Sequence, residues 1–165
     1  MRANTRRDGG FTLLELMVTL AVAAILIAIA VPSLGDATLA GKLSASANDL
    51  VAGVAMGRSE AIKRNAVTSM CVSSTGTSCG AGSWDQGWIV MAGTTVIQKH
   101  PAAPAGFKLT STVTRIDFQP TGVGNTQANI TVCRSAPSAG AQERVVSVSA
   151  TGRAYVSKTT TGVCS

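Results

Sequence analysis

Residues Phe11 to Val31 form an unbroken apolar run, FTLLELMVTLAVAAILIAIAV, whose only charge is Glu15. As a helix rising 1.5 Å per residue this run would be about 31 Å long, the thickness of a bilayer core. Ten residues precede it, MRANTRRDGG, with Arg2, Arg6 and Arg7 against the single acid Asp8. Positive charge ahead of an apolar span holds that end in the cytoplasm and sends the C-terminal remainder across the membrane. The run also accounts for part of an unusual composition. The chain has 165 residues, of which 45% are hydrophobic and only 13% charged. Such a balance excludes a disordered charged tail and argues against a coiled coil, which spends heavily on Glu, Lys and Arg. The net charge of +6 permits an anionic partner without requiring one.

A cleaved secretory signal would end near Ala28-Ile29-Ala30, and a plain single-pass anchor would need no more than the apolar run. Neither gives a reason for Glu15, because an acid placed in lipid costs about 2.5 kcal/mol or more and needs a partner. The stretch Gly10-Phe11-Thr12-Leu13-Leu14-Glu15 resembles the processing site of type IV pilins and type II secretion pseudopilins. The resemblance implies that a membrane prepilin peptidase cuts between Gly10 and Phe11 on the cytoplasmic side. It implies methylation of the new Phe11 amine, and retention of the helix in the inner membrane until the subunit enters a filament. Glu15 would then pair with the cationic N-terminus of a neighbouring subunit, which compensates its charge. Pro32 falls where many family members carry a helix-kinking proline.

Losing the leader lowers the net charge from +6 to +4, and the 134 residues beyond Val31 carry 11 basic and 6 acidic side chains. From Ser33 to about Asn65, Leu39, Leu43, Leu50, Val51, Val54, Ala61 and Ile62 recur at helical spacings. Four glycines, Gly35, Gly41, Gly53 and Gly57, each cost about 1 kcal/mol in a helix interior, so this helix must lean on a partner surface. After Ala66 the pattern changes to short β-prone runs between Gly, Pro, Ser and Asn. The expected strands are 66–72, 87–91, 95–99, 107–113, 115–119, 129–134, 144–149 and 154–158. No helical run interrupts them, so the sheets should be antiparallel and the domain α+β. The chain thus divides into a leader (1–10), a transmembrane assembly helix (11–31), an amphipathic continuation (32–65) and a β-rich globular part (66–165).

Cys71, Cys79, Cys133 and Cys164 are an even number in a domain expected outside the cytoplasm, which favours disulfides. Three pairings are open. The favoured one joins Cys71 to Cys79 across a short loop and Cys133 to Cys164, tying the C-terminal tail to a strand. No C-x-x-C pair suggests a metal site, and no motif calls for a cofactor. Catalytic groups are sparse. The lone His100 reads as solvent-facing, and Asp85 and Asp117 have no second carboxylate close in sequence. Gly122-Val123-Gly124-Asn125 lacks a P-loop ending and reads as a turn. Asn129-Ile130-Thr131 is a glycosylation sequon by chance within a strand. The chain is not expected to be an enzyme.

Three further segments resemble GspH-type pseudopilins and the minor pilins FimT and FimU: Arg58-Ser59-Glu60-Ala61-Ile62, Phe118-Gln119-Pro120-Thr121-Gly122, and Ile130 to Cys133 followed by Val145 to Ser149 with Gly152-Arg153. This resemblance implies a type IV pilin-like fold and a minor subunit that primes or caps a filament of other pilins, first in the inner membrane and then at the cell surface. A type II secretion pseudopilin is the alternative. In FimT-like subunits a C-terminal Gly-Arg-x-Arg motif is associated with DNA uptake. Here Gly152-Arg153-Ala154-Tyr155 keeps the first arginine and has Tyr155 in place of the second. With Arg134, Arg144 and Lys158 nearby, these residues are the candidates for weak, salt-sensitive contact with double-stranded DNA.

Overall fold

The computed structural model describes residues 11–135, 142–159 and 164, apart from the side chains of residues 31–33 and 36. Gly10, and with it the expected cleavage site, lies outside the described residues. The chain separates into two compact units between Thr38 and Leu39. The helix α1 (Leu13–Arg64) runs through both.

In the first unit α1 is apolar and solvent-facing. Its window Leu13–Ala30 has a mean hydropathy of 2.6 and no buried residue. Such a surface on a lone helix fits lipid or a packed neighbour, since water disfavours it by about 25 cal/mol per Å². The helix continues through position 32.

In the second unit α1 becomes one-sided. Leu39, Leu43, Ala47, Leu50, Val54 and Ala61 are buried at helical spacing. The helix stops where Asn65 takes a left-handed conformation at φ 47°. The Asn65 N–H donates to the Ile62 carbonyl and the Ala66 N–H to the Ala61 carbonyl, closing the last turn. Lys63 and Arg64 sit in that turn, where cations oppose the negative helix end.

The rest of the chain supplies eight strands: β1 (Thr68–Val72), β2 (Trp88–Ala92), β3 (Thr95–His100), β4 (Phe107–Thr110), β5 (Arg115–Phe118), β6 (Ala128–Arg134), β7 (Glu143–Val148) and β8 (Ala154–Thr159). Each corresponds to an expected strand. The largest displacement is in β4, which ends at Thr110 because residues 111–114 cross to the other sheet, where the Val72 N–H donates to the Thr114 carbonyl. Both sheets have four strands, ordered β3-β2-β1-β5 and β4-β6-β7-β8, and every pairing is antiparallel. The α+β expectation holds.

One core joins the helix to both sheets through Leu43, Leu50, Met70, Trp88, Phe118, Ile130 and Val146, among others. Two of the four helix glycines have their reason here. A Cβ on Gly53 would lie 2.6 Å from the Trp88 ring, and one on Gly57 would lie 2.8 Å from the Phe118 ring. The missing side chains let the helix settle onto the first sheet. Gly41 meets nothing within 4 Å. Cys71 is bonded to Cys79 and Cys133 to Cys164. The first bond fastens the loop after β1, the second holds the tail against β6.

Candidate assembly helix and binding faces

The start of α1 is built by its own sequence. Thr12 precedes the first helical residue, and its hydroxyl oxygen accepts the Glu15 N–H at 3.2 Å. In return a Glu15 carboxylate oxygen faces the Thr12 N–H at 3.4 Å and the Thr12 hydroxyl at 3.5 Å. This is a capping box, in which a threonine and a glutamate three residues later satisfy orphan N–H groups at a helix start. The T-x-x-E spacing was visible in the sequence, although the charge of Glu15 draws attention to a neighbour instead. The two roles are compatible. The carboxylate contacts are long, and a carboxylate accepts about four hydrogen bonds, so capacity remains for an outside cation. Phe11, at the head of the helix, is 86% exposed.

One residue from each of the three segments expected to follow a family pattern, Arg58, Gly122 and Gly152, meets the others at the far end of α1. Arg58 donates from Nε to the Gly122 carbonyl at 2.9 Å. Gly122 and Gly152 both have positive φ, 79° and 71°. A Cβ on Gly152 would lie 2.6 Å from the Gly122 carbonyl oxygen, and one on Gly122 would lie 2.8 Å from Ile62. Glycine is therefore required twice, by conformation and by space. The Gly124 N–H completes the junction by donating to the Ala150 carbonyl. Arg58, the turn after β5 and the turn after β7 thus lock together, so at these positions the pattern serves packing.

Glu60, in the same turn of α1, bonds Arg64 at 2.6 Å and Lys63 at 3.4 Å. The Arg64 hydrogen bond, aided by Lys63, holds the Glu60 carboxyl below its ordinary value, against burial, which raises it. Beside this junction lies a groove of about 350 Å³, lined by Val51, Ala55, Ile62, Arg153 and Ala154 among others.

The five residues expected to meet DNA do not share a surface. Arg144 is only 6% exposed. Its Nε donates to the Ser44 hydroxyl at 3.3 Å, and its Nη1 to the Glu143 carbonyl at 2.9 Å, so it is part of the helix-on-sheet packing. The alternation of β7 explains this: Arg144 shares a face with the buried Val146 and Val148. Arg134 is half-buried, with no hydrogen bond at its Nε among the described residues. Lys158 is exposed and pairs with Arg144 across β7 and β8, on the helix-facing side. Tyr155, 60% exposed, is on the opposite side, paired with Ser147. Arg153 is exposed in the turn between them.

The other candidate groups are held structurally. His100 is not simply solvent-facing. Its ring stacks on Trp88 with centroids 4.7 Å apart and planes 4° from parallel, while its nitrogens meet Asp49 at 3.2 Å and the Pro101 carbonyl at 3.0 Å. Asp85 pairs with Lys108 at 3.5 Å and Asp117 with Arg115 at 2.7 Å. Among the described residues no group of three His, Cys, Asp or Glu could hold a metal ion.

The family model described as type II transport protein GspH matches residues 46–152, and that of the prokaryotic N-terminal methylation motif matches residues 5–31. Two crystal structures of the type IV minor pilin FimU from Pseudomonas aeruginosa share the fold. One, in space group P21, gives a TM-score of 0.56 at 21% identity, covering 71% of this chain and 89% of that one. The other, in space group P65, gives 0.54 at 21% identity, covering 70% and 92%. No curated protein sequence matches the chain significantly.

Proposed function

The chain belongs to the GspH family, and on that premise we propose that it is a minor type IV pilin, a low-abundance filament subunit drawn from the inner membrane. The observation that carries this reading is the solvent-facing apolar length of α1, Leu13–Ala30, headed by the Thr12–Glu15 capping box. Such a helix has two favourable environments, lipid before assembly and the helices of neighbouring subunits after it.

The leader 1–10 is removed between Gly10 and Phe11 by a prepilin peptidase, and the Phe11 amine is methylated. Removal creates a cationic amine four residues from Glu15. The Glu15 carboxylate is held in its own helix only by long contacts, and it accepts the ammonium of an adjacent subunit within the bundle. In a low-dielectric bundle an unpaired carboxylate is costly, so each added subunit is held in register by the pairing. Pro32 loosens the helix where the apolar segment ends, since proline lacks the N–H that would bond four residues back. The globular part is then displayed with the Cys71–Cys79 and Cys133–Cys164 bonds protecting it in an oxidising compartment.

A second reading, a pseudopilin of a type II secretion system, is favoured by the description of the family model that matches 46–152. It uses the same helix and the same charge pairing. DNA contact would have to rest on Arg153 and Lys158, the exposed cations of the expected set, with Tyr155 on the other side of β8.

Mass analysis of the protein extracted from membranes tests the processing step. The expected species starts at an N-methylated Phe11. A chain starting beyond Ala30, or one retaining Met1, refutes the proposal. Deleting the gene then separates the two systems: loss of surface pili supports the pilin, and loss of secreted enzymes with intact pili supports the pseudopilin.

A further inference from the structure

The side of the second sheet that faces away from α1 has a surface with a distinct chemistry. Register places Asn129, Ser147 and Tyr155 side by side on β6, β7 and β8. The next row begins with Thr110 and Thr131 on β4 and β6. Strands lie about 4.8 Å apart, so the first row spans roughly 10 Å. Two depressions of about 380 and 440 Å³ open on this face and share Thr112 and Asn129. No charged side chain lines either depression among the described residues.

The hydrogen-bonding capacity here is unspent. Among the described residues, the side chains of Thr110, Thr112, Gln127, Asn129, Thr131 and Ser147 make no hydrogen bond, and neither does the Tyr155 hydroxyl. Elsewhere hydroxyls are used: Thr68 bonds the Gly57 carbonyl, Ser69 bonds Asp117, Ser73 bonds the Ser78 carbonyl and Ser83 the Leu109 carbonyl. Of the nearby cations, Lys108 shares this face two residues from Thr110 on β4, where it pairs with Asp85 at 3.5 Å, and Arg153 lines the groove against α1.

We propose that this face binds an uncharged carbohydrate, with a sugar ring stacked on Tyr155 and its hydroxyls bonded by Asn129, Ser147 and the flanking threonines. The chemistry matches on each count. A pyranose presents an apolar C–H face that an exposed aromatic ring covers, and a rim of hydroxyls that both donate and accept. Amide and hydroxyl side chains do the same. A polyanion such as DNA would instead need several free cations on this face to replace its counterions, and Lys108 is engaged by Asp85. A shallow site walled by one aromatic and several neutral polar groups gives weak, salt-indifferent binding, which repetition along a polysaccharide strengthens.

The test uses the full chain in neutral detergent micelles, titrated calorimetrically with chitohexaose, cellohexaose and maltohexaose. Binding of at least one of them is expected, with an affinity that is unchanged between about 50 and 500 mM salt. Tyr155→Ala should weaken it at least tenfold, Tyr155→Phe should retain most of it, and Asn129→Ala should weaken it several-fold. Both positions are exposed, and unchanged tryptophan fluorescence from the buried Trp84 and Trp88 confirms that the fold is kept. No binding of any of the three sugars at 10 mM, binding indifferent to Tyr155→Ala, or affinity that falls steeply with salt would each overturn the proposal.

Discussion

Gly53 and Gly41 lie on the same helix and differ only in what faces them, so the same substitution should have opposite effects. Alanine gains about 1 kcal/mol over glycine in a helix interior at either position. At Gly41 nothing lies within 4 Å of the new Cβ, so that gain is kept. At Gly53 the Cβ would sit 2.6 Å from two atoms of the Trp88 ring and 3.0 Å from the Met70 methyl. Trp88 is 1% exposed and stacked on His100, so the ring has nowhere to go. Overpacking of this kind costs about 1–3 kcal/mol, which leaves a net loss near 1 kcal/mol. At this size 1 kcal/mol moves Tm by about 4 °C. Thermal unfolding in detergent, followed by tryptophan fluorescence, should therefore show Gly41→Ala raised and Gly53→Ala lowered, some 8 °C apart. Two variants that both rise would refute the close approach of α1 to the first sheet.

The same packing has other consequences. Because Arg64 and Lys63 depress the Glu60 carboxyl, its contribution to stability is complete above the ordinary glutamate value and is lost as pH falls through the lower folded one. Urea midpoints from about pH 6 down to pH 3 should converge for wild type and Glu60→Gln, and a constant gap would contradict the pairing. Chain-entropy arguments give about 3.7 kcal/mol for Cys133–Cys164, across 31 residues, and about 2.5 kcal/mol for Cys71–Cys79, across 8. Serine substitution at Cys164 should thus lower the urea midpoint more than at Cys79, and a non-reducing peptide map should recover those two pairs alone. For DNA, Arg144→Gln should act through stability, shifting Tm while leaving any gel shift of duplex DNA unchanged. A weakened shift from a variant of unaltered Tm would place Arg144 at a nucleic-acid surface.

Much of this architecture was legible because period and punctuation carry it. The eight β-prone runs became eight strands, and the spacing of Leu39, Leu43, Leu50 and Val54 gave the buried helix face. What the sequence concealed depends on register and on pairing between distant strands. That β1 lies between β2 and β5, while β4 belongs to the other sheet, comes from crossings no local signal marks. Arg144 looked like surface charge, yet at every second position of β7 it shares a face with Val146 and Val148 and could have been placed inside. The pair of turns held by Gly122 and Gly152 explains two segments read as family pattern, through a contact between residues thirty apart. His100 seemed isolated because its partners, Asp49 and Trp88, come from a helix and another strand. The neutral row Asn129, Ser147 and Tyr155 exists only once three strands are aligned.

The central claim is that α1 joins a filament and that the Glu15 charge is used there. The measurement that meets it most directly is the amount of mature subunit in filaments sheared from cells, compared between wild type and Glu15→Ala after equal processing at Phe11. The account predicts wild-type protein in the sheared fraction and Glu15→Ala confined to the membrane, cleaved but unassembled. Equal amounts of both in the filament would contradict it.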